Sequence, residues 1–551
     1  MEPVRPRVGS GLLLAGLGGG LAFFLSLGAL WPLAAIDLVA PHGAIVERAR
    51  AFLVSRGFDL AGYRSAATLA VAEPALDYVE RAFGREQVQQ WIAEGVPLFY
   101  YRVEFKKRGD PVTYAVRVHP AAGVVGWSKT VPDDYPGPRL PVVEARLAAL
   151  AAIPEALGLE AAAFAEHSSS STEHGARRTH EFVFERKLAG APELEERVTL
   201  AVSGAELVLG LRWLHVPEAA ERRARAAAAP RVALEMAGFV LLGIGAIAAC
   251  GIFLRRLRDG TVLLGRAALW PGLVFACLLG TWALETPRLF RYWEPLWPKW
   301  ISDAQYLAAT AGQQAWLVAA LLAVVAAGDV LDRDLGGARG ASLWALARGR
   351  VLDPDVAVAS GRGFLVGLLC GGVMAAAVHA LGAAAGATTG LQPRGFFFYT
   401  LNTASPALAS VLFFFGVALA EELGYRFFAG SWLLARTGWR SIAVVVPALV
   451  YGLAHTRMEF LPPAEPFWTR ALVLALVGCV WGWAFFRYDA LTVVLSHFTA
   501  DLFIFNWPRL ASGRIEVVAA SLLTISVPLL PFLVRAAAGL LPRARAAARE
   551  S

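Results

Sequence analysis

Two adjacent carboxylates and a guanidinium lie inside a long apolar segment, FFFGVALAEELGYRFF, at residues 413–428. They belong to Glu421, Glu422 and Arg426. Each charge costs roughly 2.5–3.5 kcal/mol on membrane-insertion scales, so such groups persist where they face a protein interior or a wet cavity. Glu422 and Arg426 are four residues apart and can pair, whereas Glu421 lies about 100° further round the helix and can face a reaction centre. The same residues also fit a neutralised pair that only fixes helix packing.

Two further apolar segments carry polar side chains at helical spacing. VVVPALVYGLAH ends with Tyr451 and His455, and TVVLSHFTADLFIFN carries His497 and Asp501. Residues four apart lie on one face of a helix. A single His in a membrane helix is usually a packed, satisfied residue, but two such segments beside a diacidic one favour a shared site.

Approximate depths follow from the helical rise of ~1.5 Å per residue. Counted from the expected cytoplasmic ends of these helices, Glu421 and His455 lie ~21 Å deep. His497 and Asp501 lie ~12 and ~18 Å deep. We therefore expect the four groups to converge in one intramembrane cavity that opens toward the cytoplasmic leaflet.

Amide hydrolysis is one reaction that these residue types can catalyse. It needs an activated water, a group that stabilises the tetrahedral oxyanion and a proton for the leaving amine. We assign Glu421 as the general base, and Glu422 paired with Arg426 as its support or as the group that holds the helix.

The histidines can serve this reaction in two ways. His455 and His497 can polarise the water and stabilise the oxyanion as hydrogen-bond donors, or they can ligate a divalent metal such as zinc. Asp501 would orient His497 or complete the ligand set. Both alternatives stay open, because the sequence contains no HExxH motif.

Three motifs, EELGYR (421–426), YGLAH (451–455) and HFTAD (497–501), follow one another on successive polar-bearing segments. In this the chain resembles the CPBP intramembrane proteases, the family of type II CAAX prenyl endopeptidases and of bacteriocin-processing or immunity membrane proteins. Their pattern is Glu-Glu-x-x-x-Arg, then Phe-x-x-x-His, then His-x-x-x-Asn/Asp. Tyr451 replaces the commoner Phe, and Phe427 stands where Gly often follows the Arg.

The resemblance covers about residues 364–540. It implies a metalloprotease-like membrane core whose site residues are those of the three motifs. Asp501 is one of the two residues accepted at the last position of the pattern, and its charge favours a metal or a protonated His497.

The composition excludes a soluble enzyme. Hydrophobic residues make up 57% of the 551 residues, with a mean hydropathy of +0.52 and long uncharged runs. The net charge of +7 comes from basic residues beside apolar runs, which indicates membrane topology and no nucleic-acid partner. The four cysteines lie in predicted spans, so they imply no disulfide framework. High Ala, Gly and Arg usage is typical of a GC-rich bacterium.

The fold class that we predict is a mainly α, polytopic membrane protein with an inserted extracytoplasmic α+β domain. We expect about ten transmembrane helices at residues 11–36, 232–253, 262–284, 305–328, 363–386, 405–433, 441–456, 469–487, 489–506 and 514–540. Arg-rich connections and the basic tail at 542–550 place both termini in the cytoplasm of a cell with an inner membrane.

The polar region at residues 37–230 has the pattern of a soluble domain. Helical periodicity and then strand alternation occur twice, which suggests a duplicated helix-plus-three-strand unit similar to peptidase-propeptide (PepSY-like) repeats. Residues 167–175 are expected to be a polar loop, and its His167 and His174 to be solvated rather than metal ligands. No nucleophile or phosphate loop occurs here, so a binding or regulatory module is expected.

The predicted domain order follows from these assignments. It is an N-terminal anchor at 11–36, the soluble α+β domain at 37–230, additional transmembrane helices with a cytoplasmic loop at 231–360, and the protease-like core at 361–541.

The leading functional hypothesis is an intramembrane endopeptidase that cleaves a peptide or a membrane-protein segment near the cytoplasmic leaflet. Membrane lipid surrounds it, and its oligomeric state is left open. A non-proteolytic membrane regulator or immunity-type scaffold of the same family is the alternative. A proton-coupled transporter using Glu421 and the histidines is a third hypothesis, which the absence of repeated halves with matching broken helices disfavours.

Overall fold

The computed structural model describes residues 8–31, 40–175, 177–188, 190–390, 401–403, 405–458, 461–463 and 465–538. The end of the predicted anchor at 32–36 and the basic tail at 542–550 lie outside these residues. Within the anchor, helix α1 ends at Leu25, and a short helical turn follows at Leu27–Leu30.

Helices account for most of the described chain. They are α1 Ser10–Leu25, α2 His42–Ser55, α3 Glu73–Phe83, α4 Arg85–Ala93, α5 Val142–Leu157, α6 Glu218–Arg258, α7 Leu264–Leu284, α8 Thr286–Tyr292, α9 Lys299–Asp334, α10 Ala341–Ala347, α11 Pro354–Ala385, α12 Pro406–Thr437, α13 Arg440–Ala454, α14 Thr469–Arg487, α15 Ala490–Phe505, α16 Trp507–Leu510, α17 Ile515–Ile525 and α18 Val527–Ala538.

Six of the described helices are long and apolar enough to cross a membrane: α6, α7, α9, α11, α12 and α14. The bent pair α17 and α18 adds a seventh if it forms one span. Helices α1, α13 and α15 are apolar but only 16, 15 and 16 residues long. The mainly helical architecture is therefore confirmed, and the expected count of about ten transmembrane helices is not.

Glycines bring α11 close to α1 on one side and to α15 on the other. A Cβ atom on Gly372 would lie 2.4 Å from the Cα atom of Gly19, and one on Gly367 would lie 2.6 Å from the carbonyl oxygen of Ser496. Small residues allow membrane helices to approach in this way. Because Ser496 precedes His497, this packing sets the level at which the histidine meets the other helices.

Helices α13 and α14 form a second close pair, joined by residues 455–468. A Cβ atom on Gly452 would lie 2.1 Å from the carbonyl oxygen of Ala471, and one on Gly478 would lie 3.1 Å from the Cβ atom of Ala448. These contacts hold the end of α13, where His455 follows, against the start of α14.

In the described residues, an eight-stranded antiparallel sheet forms the core of the domain that precedes α6. Its strands are β1 Arg64–Val71, β2 Phe99–Lys107, β3 Asp110–His119, β4 Gly123–Thr130, β5 Ala165–His174, β6 Arg177–Leu188, β7 Ala191–Ser203 and β8 Glu206–His215. Their order across the sheet is β1-β2-β3-β4-β8-β7-β6-β5. The predicted α+β class of this domain is confirmed.

Each half of the sheet domain has a helix followed by four strands, and the first half has two further helices, α3 and α4, between β1 and β2. Helix α2 packs on β1 to β4, α5 packs on β6 to β8, and the last strands of the two halves, β4 and β8, lie side by side. Each half therefore has a principal helix and four strands, rather than the three that were expected. The duplication of one unit stays a prediction.

The sequence did not reveal two of the strands. No pattern predicts β1, and the prediction of a polar loop at residues 167–175 is wrong because β5 covers most of it. The side chains of β5 are exposed, and the strand forms because its backbone pairs with β6. His167 and His174 contact the carboxylates of Glu185 and Asp133 at 2.9 and 3.1 Å.

The sheet domain meets the helix bundle through strand β1. The backbone N–H of Leu69 donates to Oδ1 of Asn402 at 2.7 Å, and Nδ2 of Asn402 donates to the Leu69 carbonyl at 3.2 Å. Lys106 of β2 donates to three carbonyl oxygens at the end of α8, within residues 290–293. These contacts define one end of the bundle as its sheet-domain side.

The α13–α14 loop lies on this same side. Glu80 and Arg85 of the sheet domain line a cavity of about 290 Å³ together with Thr388 after α11 and Glu465 of the loop. The loop that follows His455 is therefore next to the soluble domain.

Candidate active site

Helix α12 changes its winding where the predicted charged motif lies. It is α-helical from Pro406 to Glu422 and continues as a π-helix over Leu423–Gly430. Short π-helical segments are rare and occur frequently at functional sites. Glu421 and Glu422 end the α-helical part, and Arg426 lies in the π-helical part.

Glu422 and Arg426 form the predicted ion pair. Arg426 Nη1 donates to Glu422 Oε1 at 2.9 Å, and Nη2 donates to the carbonyl oxygen of Gly478 at 3.1 Å. The guanidinium carbon also lies 5.2 Å from the ring centroids of both Tyr451 and Trp481. Both charged side chains are almost fully buried, so each needs the other in place of water.

His497 connects this pair to the other candidate residues. Its Nδ1–H donates to Glu422 Oε1 at 2.7 Å, so its Nε2 faces the opposite way. Nε2 lies 3.8 Å from Oε2 of Glu421 and 3.5 Å from Oδ2 of Asp501. Trp481 stacks on the imidazole with 4.0 Å between ring centroids, which fixes the ring plane.

His455 approaches Glu421 from another helix. Its Nδ1 lies 2.8 Å from the carbonyl oxygen of Tyr451, which can only accept a hydrogen bond. Nδ1 therefore carries the proton, and Nε2 lies 3.5 Å from Oε1 of Glu421. The Tyr451 ring packs on the imidazole at 4.1 Å between centroids.

A cavity of about 120 Å³ lies beside these groups. Its polar lining is Glu421, Tyr451, His455, His497 and Asp501, and the rest of its wall is apolar. Oε2 of Glu421 is buried and has no hydrogen-bond partner among the described residues. A buried polar atom in that state is usually satisfied by water, and the cavity has room for one between the carboxylate and the imidazoles.

The cavity extends toward the sheet domain. Its wall includes Met458 and Leu461 of the α13–α14 loop and Phe413, which precedes Glu421 on α12. The expected opening toward the cytoplasmic leaflet stays a prediction, because its outcome depends on which end of the bundle is cytoplasmic.

The level of His455 along the bundle agrees with a cavity that extends toward the sheet domain. A Cβ atom on Gly238 of α6 would lie 2.5 Å from the backbone nitrogen of Ala454, so these residues share one level. Counted along α6, that level is roughly 9 Å from the start of the apolar part at residue 232 and roughly 30 Å from Arg258. His455 thus lies in the sheet-domain half of the bundle, because α13 has only 15 residues.

The comparison with known families agrees with this arrangement. Residues 403–503 match the family model described as Type II CAAX prenyl endopeptidase Rce1-like. The match supports a CAAX protease-like domain in this part of the chain. No curated protein and no solved structure matches the chain.

The match includes the segments that carry all six predicted site residues. At the level of the family it supports an intramembrane protease and an enzyme. Helices α12 and α15 carry five of these residues, and His455 directly follows α13.

The predicted metal ligands of the CAAX protease domain have part of the expected surroundings. His455 and His497 each donate Nδ1–H to an oxygen, as metal-binding histidines do. However, no three His, Cys, Asp or Glu side chains in the described parts of the chain come close enough together to hold an ion. The residues as placed do not fit a metal centre, and we derive no metal-dependent step.

Two further side chains position the catalytic candidates of the CAAX protease domain. Neither was predicted from the sequence. Trp481 stacks on His497 and donates to the Ser496 hydroxyl at 3.0 Å. Arg470 is buried and donates to the carbonyl oxygens of Thr456 and Leu461, which holds the loop after His455. Both lie on α14, whose sequence carries no polar motif at helical spacing, so only the packing of α14 reveals them.

Proposed function

We propose that the protein is an intramembrane endopeptidase in which Glu421 activates the water that hydrolyses a peptide bond. One observation carries the proposal. The Nε2 atoms of His455 and His497 lie 3.5 and 3.8 Å from the two carboxylate oxygens of Glu421, beside a largely apolar cavity. A purely structural ion pair has no need of this second carboxylate, because Glu422 already neutralises Arg426.

The proposed reaction uses the residues in sequence. Glu421 takes a proton from the water, and the resulting hydroxide attacks the carbonyl carbon of the scissile bond. Nε2–H of a protonated His497 donates to the oxyanion of the tetrahedral intermediate. The C–N bond breaks, and the proton held by Glu421 passes to the leaving amine.

The remaining site residues keep these groups in place. Glu422 accepts from His497 and from Arg426, so it holds the imidazole and ties it to α12. Asp501 lies near Nε2 of His497 and favours its protonated form. His455 polarises the water from the side opposite His497.

The substrate that we propose is a peptide or a membrane-protein segment. The wall of the cavity is apolar apart from the five polar side chains, which suits a lipid-embedded stretch of chain. The description of the family model refers to a CAAX prenyl endopeptidase. A bacterium does not need to process prenylated CAAX proteins, so we propose a different substrate. We place the protein in the inner membrane with both termini cytoplasmic and the sheet domain outside.

Comparison of peptide termini in membrane fractions tests the proposal. Cells expressing the wild type should contain a new peptide terminus that is absent from cells expressing Glu421→Gln. Glu516→Gln, the same substitution at an exposed position of α17, is the matched control and should keep the terminus. Identical termini in wild type and Glu421→Gln would refute the proposed role.

Metal binding by His455 and His497 stays a prediction with its own test. Metal content of the purified wild type would be compared with that of His455→Ala and of His497→Ala by elemental mass spectrometry. A stoichiometric ion lost in both variants would support ligation, and equal metal content in all three would contradict it.

A further inference from the structure

Strand β1 is an edge strand of the sheet, and its outer edge faces the membrane bundle. One side of β1 pairs with β2 over its whole length, Arg64–Val71. On the other side, the Asn402 amide bonds both the N–H and the carbonyl of Leu69. At Leu69 the Asn402 amide therefore makes the two hydrogen bonds that a neighbouring strand would otherwise make.

The alternation of a β-strand identifies the other outward groups. Leu69 points its backbone N–H and carbonyl away from β2, so the residues two and four positions earlier, Ala67 and Ser65, do the same. Among the described residues, no backbone or side-chain group bonds to these outward groups of Ser65 and Ala67. An edge whose N–H and carbonyl groups lack partners is a template for another strand. Ser65 is the more accessible of the two residues, because Ala67 is buried.

This open part of the edge borders a large cavity. The cavity has a volume of about 770 Å³ and is lined by residues 64–67 on one side. Opposite them lie Phe290 of α8, Pro406 at the start of α12 and Arg509 of α16. The cavity is therefore bounded by the sheet edge on one side and by the nearby helices of the bundle on the other.

The cavity beneath the edge and the cavity that contains Glu421 are lined by neighbouring residues of the same two parts of the bundle. Pro406 lines the outer cavity, and Phe413, roughly 10 Å further along the same helix, lines the cavity that contains Glu421. In the same way Arg509 lines the outer cavity and Phe505 lines the inner one. The same two parts of the bundle thus form walls of both spaces.

The charged side chains that line the outer cavity favour a binding segment of opposite charge. Arg64 and Arg509 line the outer cavity, and neither forms an ion pair with a residue that the structure describes. Lys299 also lines it but is paired with Asp303 at 2.6 Å. Glu47 is the one carboxylate in the described lining, so the balance is positive and favours an acidic segment.

We propose that the outer edge of β1 binds the substrate as an added antiparallel or parallel strand. The occupant is an extended, acidic segment of a membrane-protein substrate, on the sheet-domain side of its scissile bond. This inference rests on the proposed proteolytic function and adds the substrate class to it. Backbone hydrogen bonds to Ser65 and Ala67 supply the affinity, and Arg64 and Arg509 supply the preference for acidic side chains.

Binding is measured without catalysis, on full-length Glu421→Gln protein in lipid nanodiscs. The probe is a synthetic single-span peptide whose flank alternates Glu, Thr and Val. A second peptide with Lys in place of each Glu is the matched probe. The acidic probe should bind about tenfold more tightly than the basic one, and equal or reversed affinity would overturn the inference.

Substitutions at Ser65 and Arg64 test the edge itself. Ser65→Pro removes an outward N–H without touching the ladder to β2, and it should weaken binding of the acidic probe about fivefold. Ser65→Thr keeps the N–H and should bind like the parent. Arg64→Glu, at an exposed position, should abolish the preference for the acidic probe even if Ser65→Pro does not fold. Unchanged binding in Ser65→Pro and Arg64→Glu would overturn the proposal.

Cleavage of the same acidic probe by the wild-type protein separates the two proposals. Binding that depends on Ser65 and Arg64 without any cleavage would support the docking edge and count against the proteolytic function. Cleavage that is equally fast for the acidic and basic probes, and insensitive to Ser65→Pro, would support the function and overturn the docking edge.

Discussion

Glu422 accepts hydrogen bonds from two cationic or potentially cationic side chains, Arg426 and His497, and all three are almost fully buried. Replacing it with a neutral side chain of the same shape leaves the Arg426 charge without its counter-ion. Breaking a buried pair in this way typically costs about 3–5 kcal/mol. At the residue scale Glu422 is therefore required for stability, and Glu421 for chemistry.

We predict that Glu422→Gln strongly lowers the thermal stability of the detergent-solubilised protein, whereas Glu421→Gln leaves it nearly unchanged. Glu218→Gln is the control, since Glu218 pairs at 3.2 Å with Arg222 and both side chains are exposed, and such pairs are worth about 1 kcal/mol or less. Equal stabilities of Glu422→Gln and Glu218→Gln would contradict the assignment.

His119, at the end of β3, gives the sheet domain a dependence on pH. Its Nδ1 accepts hydrogen bonds from the backbone N–H groups of Ala121 and Ala122. Burial, followed by the nearby Arg212, lowers the pKa of His119 from 6.5 to about 4. A base whose pKa is depressed by folding stabilises the folded state fully above its unfolded pKa and loses that contribution as the pH falls toward the folded value.

We therefore predict that the sheet domain loses about 3 kcal/mol of stability between pH 6.5 and pH 4. Hydrogen exchange of its amides in the full-length protein, corrected for intrinsic rates, measures this loss. His119→Asn, whose Oδ1 can accept the same bonds but does not titrate, should remove most of the dependence. An equally steep decline in His119→Asn would assign the effect to other groups.

The sequence located the residues of the site better than the contacts that hold them. The spacing of Glu422 and Arg426 predicted their pair, and three motifs in order predicted the convergence with His455 and His497. The sequence did not predict the roles of Trp481 and Arg470, because those roles arise from the packing of α14 against other helices. The proposed catalytic role of each residue remains to be tested.

At the scale of elements, the end of α13 is held by a close contact between backbones. A Cβ atom on Gly452 would lie 2.1 Å from the Ala471 carbonyl oxygen, whereas one on Gly243 of α6 would meet no atom within 4 Å. Overpacking of this kind costs about 1–3 kcal/mol. Ala also stabilises a helix by about 1 kcal/mol relative to Gly. At a position with space for a Cβ atom, such as Gly243, this is the only contribution to the change in stability.

We predict opposite effects for two otherwise identical substitutions. Gly452→Ala should lower the melting temperature of the solubilised protein and should also displace His455 and reduce activity. Gly243→Ala should leave the melting temperature unchanged or raise it. A Gly452→Ala protein as stable and active as the wild type would show that α13 and α14 are not packed as described.

Strand β5 was not predicted, and helices α13 and α15 stay unconfirmed as spans, because their local sequence signals are weak. Strand β5 lacks hydrophobic alternation, so its pairing with β6 could not be read from its own residues. Helices α13 and α15 are too short to count as spans by length and composition, although other helices surround them. Long apolar helices such as α11 and α14 were predictable because their signal is local.

At the scale of the whole molecule, the sheet domain and the catalytic groups lie toward the same end of the bundle. The level of His455, near Gly238 of α6, places the site in the half of the membrane next to β1. The proposed topology puts this half on the outer side. Substrates would then be cleaved from the extracytoplasmic side, contrary to the expectation from the sequence.

Labelling of introduced cysteines tests the topology in intact cells. Ser170→Cys on the exposed strand β5 should react with a membrane-impermeant maleimide added outside. Asp259→Cys, in the connection after α6, should react only after the membrane is permeabilised. The reverse pattern would invert the proposed orientation while leaving the internal geometry of the site unchanged.

Hydrolysis by purified protein in water enriched in oxygen-18 tests the central claim most directly. The substrate is the protein whose terminus depends on Glu421 in cells. The account predicts that the wild type places an oxygen-18 atom in the new C-terminal carboxylate, and that Glu421→Gln, though folded, yields no product. Full cleavage by Glu421→Gln, or a new terminus without oxygen-18, would contradict it.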